Sequence, residues 1–204
     1  GEKLRITKLL DKKKFKRLFS ILTTIHHPYL ETFVGANINE SDIEIATLKS
    51  GANLWELIFK EPEIYDDSED MYIKLNKGDR TIIAFKVAQA MAYLHSRGII
   101  HRNLSSGIIF IKKIRDENND EKYDVIPIIT NFAHSHLRSR DSILTMTNIN
   151  ANSLKSSFIA PELIDNSNYD EKVDVFAFGG LLFELLTNRS PKKELSKTDD
   201  EIWK

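Results

Sequence analysis

Residues 173–186 constrain the fold more than any other stretch, because their sequence, VDVFAFGGLLFELL, is apolar on every side of a helix. Such a helix is predicted to lie buried in the centre of a domain rather than on its surface. Gly179 and Gly180 lie inside it, although each glycine costs a helix up to about 1 kcal/mol relative to alanine. We therefore expect another element to pack closely against this helix.

The composition favours a globular, soluble chain. Its 204 residues suit one large domain or two lobes that share an interface. A net charge of −1, with both signs mixed, supplies no field that attracts nucleic acid or a membrane surface. The absence of cysteine excludes disulfides, thiol catalysis and thiolate metal sites. A helix that spans a bilayer needs about twenty consecutive apolar residues, and no apolar run here approaches that length. No signal peptide opens the sequence, so we expect a cytoplasmic protein.

Apolar periodicity predicts the elements of the first part of the chain. Residues 4–9 are compatible with a short strand. Phe15 and Leu22 share one face of a predicted helix, which must end before Pro28. The segments YLETFVGANI and DIEIATL are predicted to be strands joined by a polar turn, and a turn at Gly51 leads into a short helix.

The later elements follow from the same patterns. Residues 81–95 carry one apolar helical face and are followed by Gly98, which ends the helix. IIFIKKI and YDVIPIIT predict a hairpin with a long charged turn, and Pro127 should lie at a sheet edge or bulge because it lacks an N–H. Residues 133–157 are polar and aperiodic, which is typical of a functional or mobile segment.

The order of these elements predicts the fold class. A helix and strands come first, and a mostly helical body with one hairpin follows. The class is therefore α+β. We expect a partial small lobe that carries a sheet, about residues 1–50, and a larger, mostly helical lobe, about residues 51–204, which ends after the buried helix.

Four short motifs occur in one order along the chain. HRNL follows the long helix, TNFA follows the hairpin, APEL follows the polar segment, and DVFAFG opens the buried helix. Their order and spacing resemble the protein kinase superfamily, whose motifs are HRDL, DFG, APE and DVWSFG. AYLHSRGIIHR and YDEKVDVFAFG are most similar to its tyrosine-kinase-like branch. The resemblance implies a bilobal protein-kinase-like fold, and the lack of a glycine-rich loop and of the later helices implies a truncated domain.

The resemblance also implies that four chemical positions are replaced. Asn103 stands where the family has the Asp that accepts the proton of the substrate hydroxyl, and an amide is not a useful base. Ser105 replaces the lysine that neutralises phosphate charge. Ile108 replaces the Asn that binds the second magnesium ion, and Asn131 replaces the DFG Asp, the main metal ligand.

A fifth position belongs to the first helix. Leu18 falls where the family has the Glu that pairs with a strand lysine. That lysine is not identifiable, since the resemblance of LRITKLL to VAIKKL puts Thr7 there, with Lys8 as the alternative. Leu18 shares the helical face of Phe15 and Leu22, so ordinary core packing explains it.

The positions that match the family's scaffold are kept. His101, Phe132, Leu22 and Phe33 match the apolar spine that joins the two lobes. Asp174 matches the acid of the buried helix that holds the backbone of the catalytic loop. The remaining matches to the family's structural motifs are Ala160, Pro161, Glu162 and Gly179.

These replacements favour a catalytically inactive protein kinase-like domain, a pseudokinase that acts as a signalling scaffold or interaction module. We expect protein partners, no nucleic acid, no membrane, no metal and no obligatory cofactor. The alternative is a weakly active Ser/Thr protein kinase, in which His134, His136 or Asp141 supplies a relocated catalytic group.

A third alternative retains ATP binding without magnesium and without phosphoryl transfer. In the resemblance Ala46 matches the gatekeeper, a small residue that leaves the adenine pocket open, and the backbone of Thr47 and Lys49 forms the hinge that binds adenine. Arg102 matches the arginine that grips a phosphorylated activation loop. The candidate phosphorylation sites are Thr145, Thr147, Ser156 and Ser157.

Overall fold

The structure, a computed structural model, combines helices and short strands in the order that the sequence predicts. Asp141 and the four candidate phosphorylation sites lie outside the residues that it describes. The described residues are 3–9, 11–39, 43–60, 74–116, 119–137, 158–164 and 168–191.

The first sheet contains three antiparallel strands in the order β1-β3-β2. β1 spans Leu4–Leu9, β2 spans Phe33–Ile38 and β3 spans Ile43–Leu48, so the three predicted strands are confirmed. Alternate residues of β3 are buried, including Ile45 and Thr47, and they define the inner face of the sheet.

One helix, α1 (Lys12–Leu22), packs against this sheet. The Asp11 side chain accepts the backbone N–H of Lys13 at 2.7 Å and thereby caps the first turn. Its apolar stripe buries Phe15, Leu18, Ile21 and Leu22. The helix ends well before Pro28, as predicted.

Two long helices, α3 (Lys77–Ser96) and α5 (Lys172–Thr187), pack against each other in the larger part of the molecule. The first begins earlier than predicted because Asn76 and Asp79 form a reciprocal capping box. It ends before Gly98, whose φ of 70° requires the left-handed region. In the described part of the chain, no helix is both long and apolar enough to cross a membrane.

A second sheet has the strand order β4-β6-β7, with β4 at Ala52–Asn53, β6 at Ile109–Asp116 and β7 at Asn119–Ile129. The predicted hairpin is confirmed, but its backbone pairing extends into the charged segment that was predicted to be a long turn. Pro127 lies in β7, an edge strand of this sheet, which suits a residue without an N–H. The short helix α2 (Leu54–Phe59) follows β4 directly.

Three further short elements are β5 (Ile99–Ile100), β8 (His136–Leu137) and α4 (Pro161–Ile164). β5 pairs in an antiparallel manner with β8, so the loop after α3 lies beside the segment after β7. The helix α4 precedes α5. Its Leu163 joins Ile100 in a small second hydrophobic cluster.

The helix α5 is buried along one side only, which corrects the prediction of burial on every side. The packed elements cover the face that contains Asp174 and Leu181, and three apolar side chains remain outside that contact. These exposed side chains are Val175, Phe176 and Leu186. A Cβ at Gly180 would lie 2.9 Å from the Phe158 ring, whereas one at Gly179 would meet no atom within 4 Å. Close packing therefore explains the glycine at 180 only.

Among the described residues, one isolated parallel bridge connects Leu30, which precedes β2, with Ile129, at the end of β7. The Ile129 N–H donates to the Tyr29 carbonyl at 2.9 Å, and the Glu31 N–H donates to the Ile129 carbonyl at 2.9 Å. One hydrophobic core, which includes residues of α1, β3, α3, β6 and α5, runs through both parts. The first sheet and the helical part are therefore packed as one body.

We expect Gly51→Ala to lower the free energy of unfolding by at least about 2 kcal/mol, since a non-glycine residue in this region of φ is strained by about 1–3 kcal/mol. Gly51 has φ of 42°, and an added Cβ would lie 1.8 Å from the Ile111 carbonyl oxygen. The carbonyl cannot retreat without disturbing the pairing of β4 with β6. Gly35→Ala is the control, because its Cβ meets nothing within 4 Å. Equal losses in chemical denaturation would contradict the prediction.

Candidate functional site

Asp174, at the start of α5, is the acid that organises the loop after α3. Its carboxylate is buried, and its two oxygens accept the backbone N–H groups of His101 at 2.8 Å and Arg102 at 2.7 Å. Nε2 of His95 lies 2.9 Å from Oδ2. Hydrogen bonds to a charged group contribute about 1.5–3 kcal/mol each. The three partners therefore offset the cost of burying this carboxylate.

His101 is fully buried, and its ring nitrogens have distinct partners. Nδ1 accepts the N–H of Asn103 at 3.3 Å, and Nε2 lies 3.1 Å from the carbonyl oxygen of Thr130, so the proton is assigned to Nε2. Burial lowers the pKa of His101, against the opposing effect of Asp174. The imidazole meets the Phe132 ring edge-on at a centroid distance of 4.9 Å. This contact joins the loop to the segment after β7.

Arg102 has φ of 63°, a left-handed conformation that is strained for a residue with a side chain. Its backbone is held there by Asp174. Its guanidinium donates from Nη1 to the Tyr169 hydroxyl at 2.8 Å and from Nε to the carbonyl oxygen of His134. Arg102 therefore connects the loop with the segment before α5 and with the segment after β7.

Basic side chains gather around Arg102. Nη2 of Arg17 donates to the carbonyl oxygen of Ala133 at 2.8 Å. Burial lowers the pKa of His134 and of His136, and the charges of Arg102 and Arg17 lower both further. The cluster has the charge that suits an anion such as a phosphate. Phosphorylation at the candidate sites, which lie outside the described residues, stays a prediction.

Asn131 occupies the left-handed region, with φ of 66° and ψ of 57°. Its backbone N–H donates to Oε1 of Glu31 at 2.9 Å. Burial raises the pKa of Glu31, and the Thr47 hydroxyl, the Arg5 charge and the amides of Asn131 and Phe132 oppose the rise. A buried carboxyl group from the segment before β2 thus fixes the Asn131 backbone.

A cavity of about 280 Å³ lies between the two sheets. Thr7 faces this cavity, whereas Lys8 lies on the outer face of β1 and pairs with Glu44 at 3.4 Å. The polar residues that line the cavity are Arg5, Thr7, Glu31, Thr47, Thr130 and Asn131. Its principal apolar residues are Leu18, Leu22, Ile45, Ile108, Phe110 and Phe132.

Of the three predicted hinge residues, only Thr47 lines the cavity. Ala46 belongs to the opposite face of β3 and is not among the lining residues. The Thr47 hydroxyl is buried and has no partner at hydrogen-bonding geometry among the described residues, although it lies near Glu31. The Lys49 N–H donates to the carbonyl oxygen of Lys3 at 2.9 Å. Adenine binding by Thr47 and Lys49 stays a prediction.

The replaced positions lie in the loop after α3 and along the cavity wall, and none of them carries a charge. Asn103 is half-buried, and Ser105 precedes a single 3₁₀ turn, Ser106–Ile108. Ile108 lines the cavity, as does Leu18, which is buried in the core. The structure therefore places a hydrocarbon at two positions where the family resemblance expects polar groups.

A magnesium ion does not fit the residues at the positions that the resemblance assigns to metal. Mg²⁺ prefers an octahedral set of oxygen ligands that includes carboxylates. Asn131 offers a neutral amide oxygen and Ile108 offers none. Within the described ranges, no group of three or more His, Asp or Glu side chains is placed to hold a metal ion.

Some of the four residues predicted to form the apolar spine lie close to one another. His101 touches Phe132, and Phe132 and Leu22 line the same cavity. Phe33 is half-buried, and its ring meets that of Phe19 edge-on at a centroid distance of 5.5 Å. The APE motif lies at the start of α4, where Ala160 is buried, Pro161 is the first helical residue and Glu162 lies in the first turn.

Sequence reasoning missed several residues of the site, and these include Arg5, Glu31, Phe110 and Glu184. Glu184 of α5 is buried and accepts the Ser106 hydroxyl, and burial raises the pKa of Glu184. For the two acids, the available signal was a Glu inside an apolar run, in YLETF and LLFEL. Acidic residues are rarely buried without a partner, so such a position points to a specific internal contact.

We expect Asp174→Asn to lower the free energy of unfolding by about 2–4 kcal/mol, because the amide nitrogen would face a backbone N–H and leave that donor unsatisfied. Asp170→Asn is the matched control. In the native protein Asp170 accepts the Lys172 N–H at 2.9 Å, and the amide oxygen of Asn can still accept it. Its effect should be within about 1 kcal/mol. Urea denaturation of both variants checks the prediction, and equal stabilities would contradict it.

Replacement of Glu31 by Gln should change how stability depends on pH. Because the folded pKa of Glu31 is raised, its contribution to stability is present below the unfolded pKa and lost as pH rises through the folded pKa. Gln keeps an acceptor for the Asn131 N–H but does not titrate. The stability of Glu31→Gln relative to the native protein should therefore increase from about pH 4 to about pH 8. Chemical denaturation at several pH values in this range checks the prediction, with Glu56→Gln, an exposed residue, as the control. A difference in unfolding free energy between Glu31→Gln and the native protein that stayed constant with pH would contradict it.

Comparison with known proteins assigns the family. The sequence profile described as "Protein tyrosine and serine/threonine kinase" matches residues 4–202. A Dictyostelium discoideum protein named a probable serine/threonine-protein kinase is 32% identical over 179 residues, which are 88% of this chain and 12% of that protein. Serine/threonine-protein kinase STY46 of Arabidopsis thaliana is 26% identical over 180 residues, 88% of this chain and 27% of that protein. The chain thus spans a minor part of these curated relatives.

The fold is shared with solved kinase structures. A chain of the yeast RNA Pol II CTD kinase CTDK-1 complex superposes with a TM-score of 0.67 at 19% identity, covering 92% of this chain and 55% of that chain. The predicted α+β, protein-kinase-like fold is therefore confirmed. Since the family profile also matches nearly the whole sequence, this chain belongs to the protein tyrosine and serine/threonine kinase family.

Proposed function

We propose that this kinase domain is catalytically inactive and acts as a signalling scaffold or interaction module for protein partners in the cytoplasm. The observation that carries the proposal is the contrast within one loop. The backbone of His101 and Arg102 is held by the Asp174 carboxylate. The side chains that follow, at Asn103 and Ser105, lack the base and the cation that phosphoryl transfer uses.

Joint loss supports inactivity more strongly than any single replacement. Asn103 cannot accept a proton near neutral pH, and Asn131 and Ile108 do not form a magnesium site. Leu18 and Thr7 face the cavity at the positions where the resemblance expects an ion pair. A single missing group can be bypassed, whereas base, metal ligands and phosphate-binding lysine are missing here together. The effects of groups that act together in catalysis are not additive.

An active Ser/Thr protein kinase is the second candidate, and the names of the relatives favour it. This activity would require a relocated base. His134 and His136 lie just after Asn131, and their lowered pKa values favour the neutral imidazole that can accept a proton. Both lie in the basic cluster around Arg102. A domain that binds ATP without magnesium and without phosphoryl transfer is a third candidate, between an inactive scaffold and an active kinase.

In an assay with radiolabelled ATP, Mg²⁺ and a mixed Ser/Thr peptide substrate, we expect no transfer above the background of heat-denatured protein. We expect the same for Asn103→Asp combined with Asn131→Asp, because Ser105, Ile108 and Leu18 would remain. A catalytically active kinase assayed in parallel is the control. Magnesium-dependent transfer that disappears in His134→Ala or His136→Ala would establish the second candidate instead.

A further inference from the structure

We propose that the cavity between the two sheets is closed to nucleotides by the chain's own Arg5, which stacks on Phe110 in the place of a planar ligand. In this arrangement Arg5 and Glu31 determine what the cavity accepts. The inference rests on the proposed function and deepens it, because a guanidinium over the Phe110 ring competes with a nucleotide base for the same aromatic surface.

The contact between Arg5 and Phe110 crosses from one sheet to the other. Arg5 belongs to β1 of the first sheet and Phe110 to β6 of the second. The guanidinium carbon lies 4.2 Å from the centre of the Phe110 ring, within the range of a cation–π contact. Both residues line the cavity. A guanidinium is planar and stacks on aromatic faces, so it covers the surface on which a flat heterocycle would lie.

The backbone donors beside the cavity are also in use. The Leu48 N–H donates to the carbonyl oxygen of Thr32 at 3.0 Å, and the Lys49 N–H donates to the carbonyl oxygen of Lys3 at 2.9 Å. The second bond continues the pairing of β1 with β3 beyond Leu4 and Leu48. A base that entered at this edge would have to break these bonds before it could form its own.

The charge of the cavity acts against phosphate. Glu31 is 7% exposed and lines the same cavity as Arg5. Its carboxylate attracts the Arg5 guanidinium and repels a polyphosphate. The buried Thr47 hydroxyl, which has no partner at hydrogen-bonding geometry in the described part of the chain, also faces this space. Carboxylate and hydroxyl together suit a flat ligand that donates N–H groups and carries no phosphate.

Removal of Arg5 should therefore uncover a site for an uncharged heterocycle with N–H donors. Adenosine is the probe, because its exocyclic amine can donate to Glu31 or Thr47 and its ring can stack on Phe110. ATP presents the same ring with a polyphosphate, so the Glu31 carboxylate should weaken its binding. The double variant Arg5→Ala with Glu31→Gln removes both obstacles.

The test is isothermal titration calorimetry of the whole chain with adenosine and with ATP, both without Mg²⁺. We expect no saturable binding to the native protein, and at least tenfold tighter binding of adenosine to Arg5→Ala. ATP should bind Arg5→Ala more weakly than adenosine does, and the double variant should bind ATP at least fivefold more tightly than Arg5→Ala does. Lys60→Ala is the control, because Lys60 follows α2 with its side chain 57% exposed and does not line the cavity. It should behave as the native protein does.

Equal affinity of the native protein and Arg5→Ala for adenosine would overturn the proposal. If Arg5→Ala does not fold, a double-mutant cycle of Arg5→Gln and Phe110→Leu on the unfolding equilibrium replaces it. The proposal requires that the two losses be non-additive by at least threefold in the equilibrium constant, and additivity would overturn it.

ATP binding by the native protein without transfer would contradict the closed cavity but not the inactivity. Transfer by Arg5→Ala alone would contradict the inactivity but not the closed cavity.

Discussion

The geometry of the loop after α3 depends on two backbone amides that share one buried carboxylate. Asp174 accepts the N–H groups of His101 and Arg102, and these bonds hold Arg102 in a left-handed conformation that costs about 1–3 kcal/mol in isolation. The Arg102 guanidinium can then reach Tyr169, and the His101 ring can meet Phe132. Contacts between three separate segments of the chain therefore follow from the placement of a single acid.

Charged groups in this molecule serve internal contacts. Asp174 binds backbone amides, Glu184 accepts a hydroxyl from the loop, and Glu31 holds the Asn131 backbone. Arg5 faces the cavity and lies over an aromatic ring. Each of these groups makes a contact inside the folded chain. The positions that the resemblance assigns to phosphate and metal binding carry amides, a hydroxyl or hydrocarbon. The contacts that hold the loop therefore do not depend on the groups at these positions.

The helices, the strands and the loop after α3 could be predicted from the sequence. The side chains that line the cavity could not all be predicted. Helices and strands follow from apolar periodicity, and the motifs around His101 and Asp174 are local in sequence. Arg5, Glu31 and Phe110 come from three distant segments, and the pairing of β1 with β3 and the bridge at Ile129 help to bring them together. The partial exposure of α5 was missed for a related reason, because an apolar sequence reports what a helix can bury and not what lies beside it. The extra pairing of the β6–β7 hairpin arose from charged residues that a pattern alone assigns to a turn.

The parallel bridge between Leu30 and Ile129 has a mechanical consequence. It is a short connection of two backbone hydrogen bonds, and it lies beside Glu31 and the end of β7. If the first sheet rotated about this bridge as a pivot, each strand would move in proportion to its distance from it. β1 is separated from β2 by β3, so it lies about 10 Å farther from that pivot at the usual spacing between strands. A small rotation would therefore displace Arg5 across the Phe110 ring while leaving the hydrogen bond between Glu31 and Asn131 nearly unchanged.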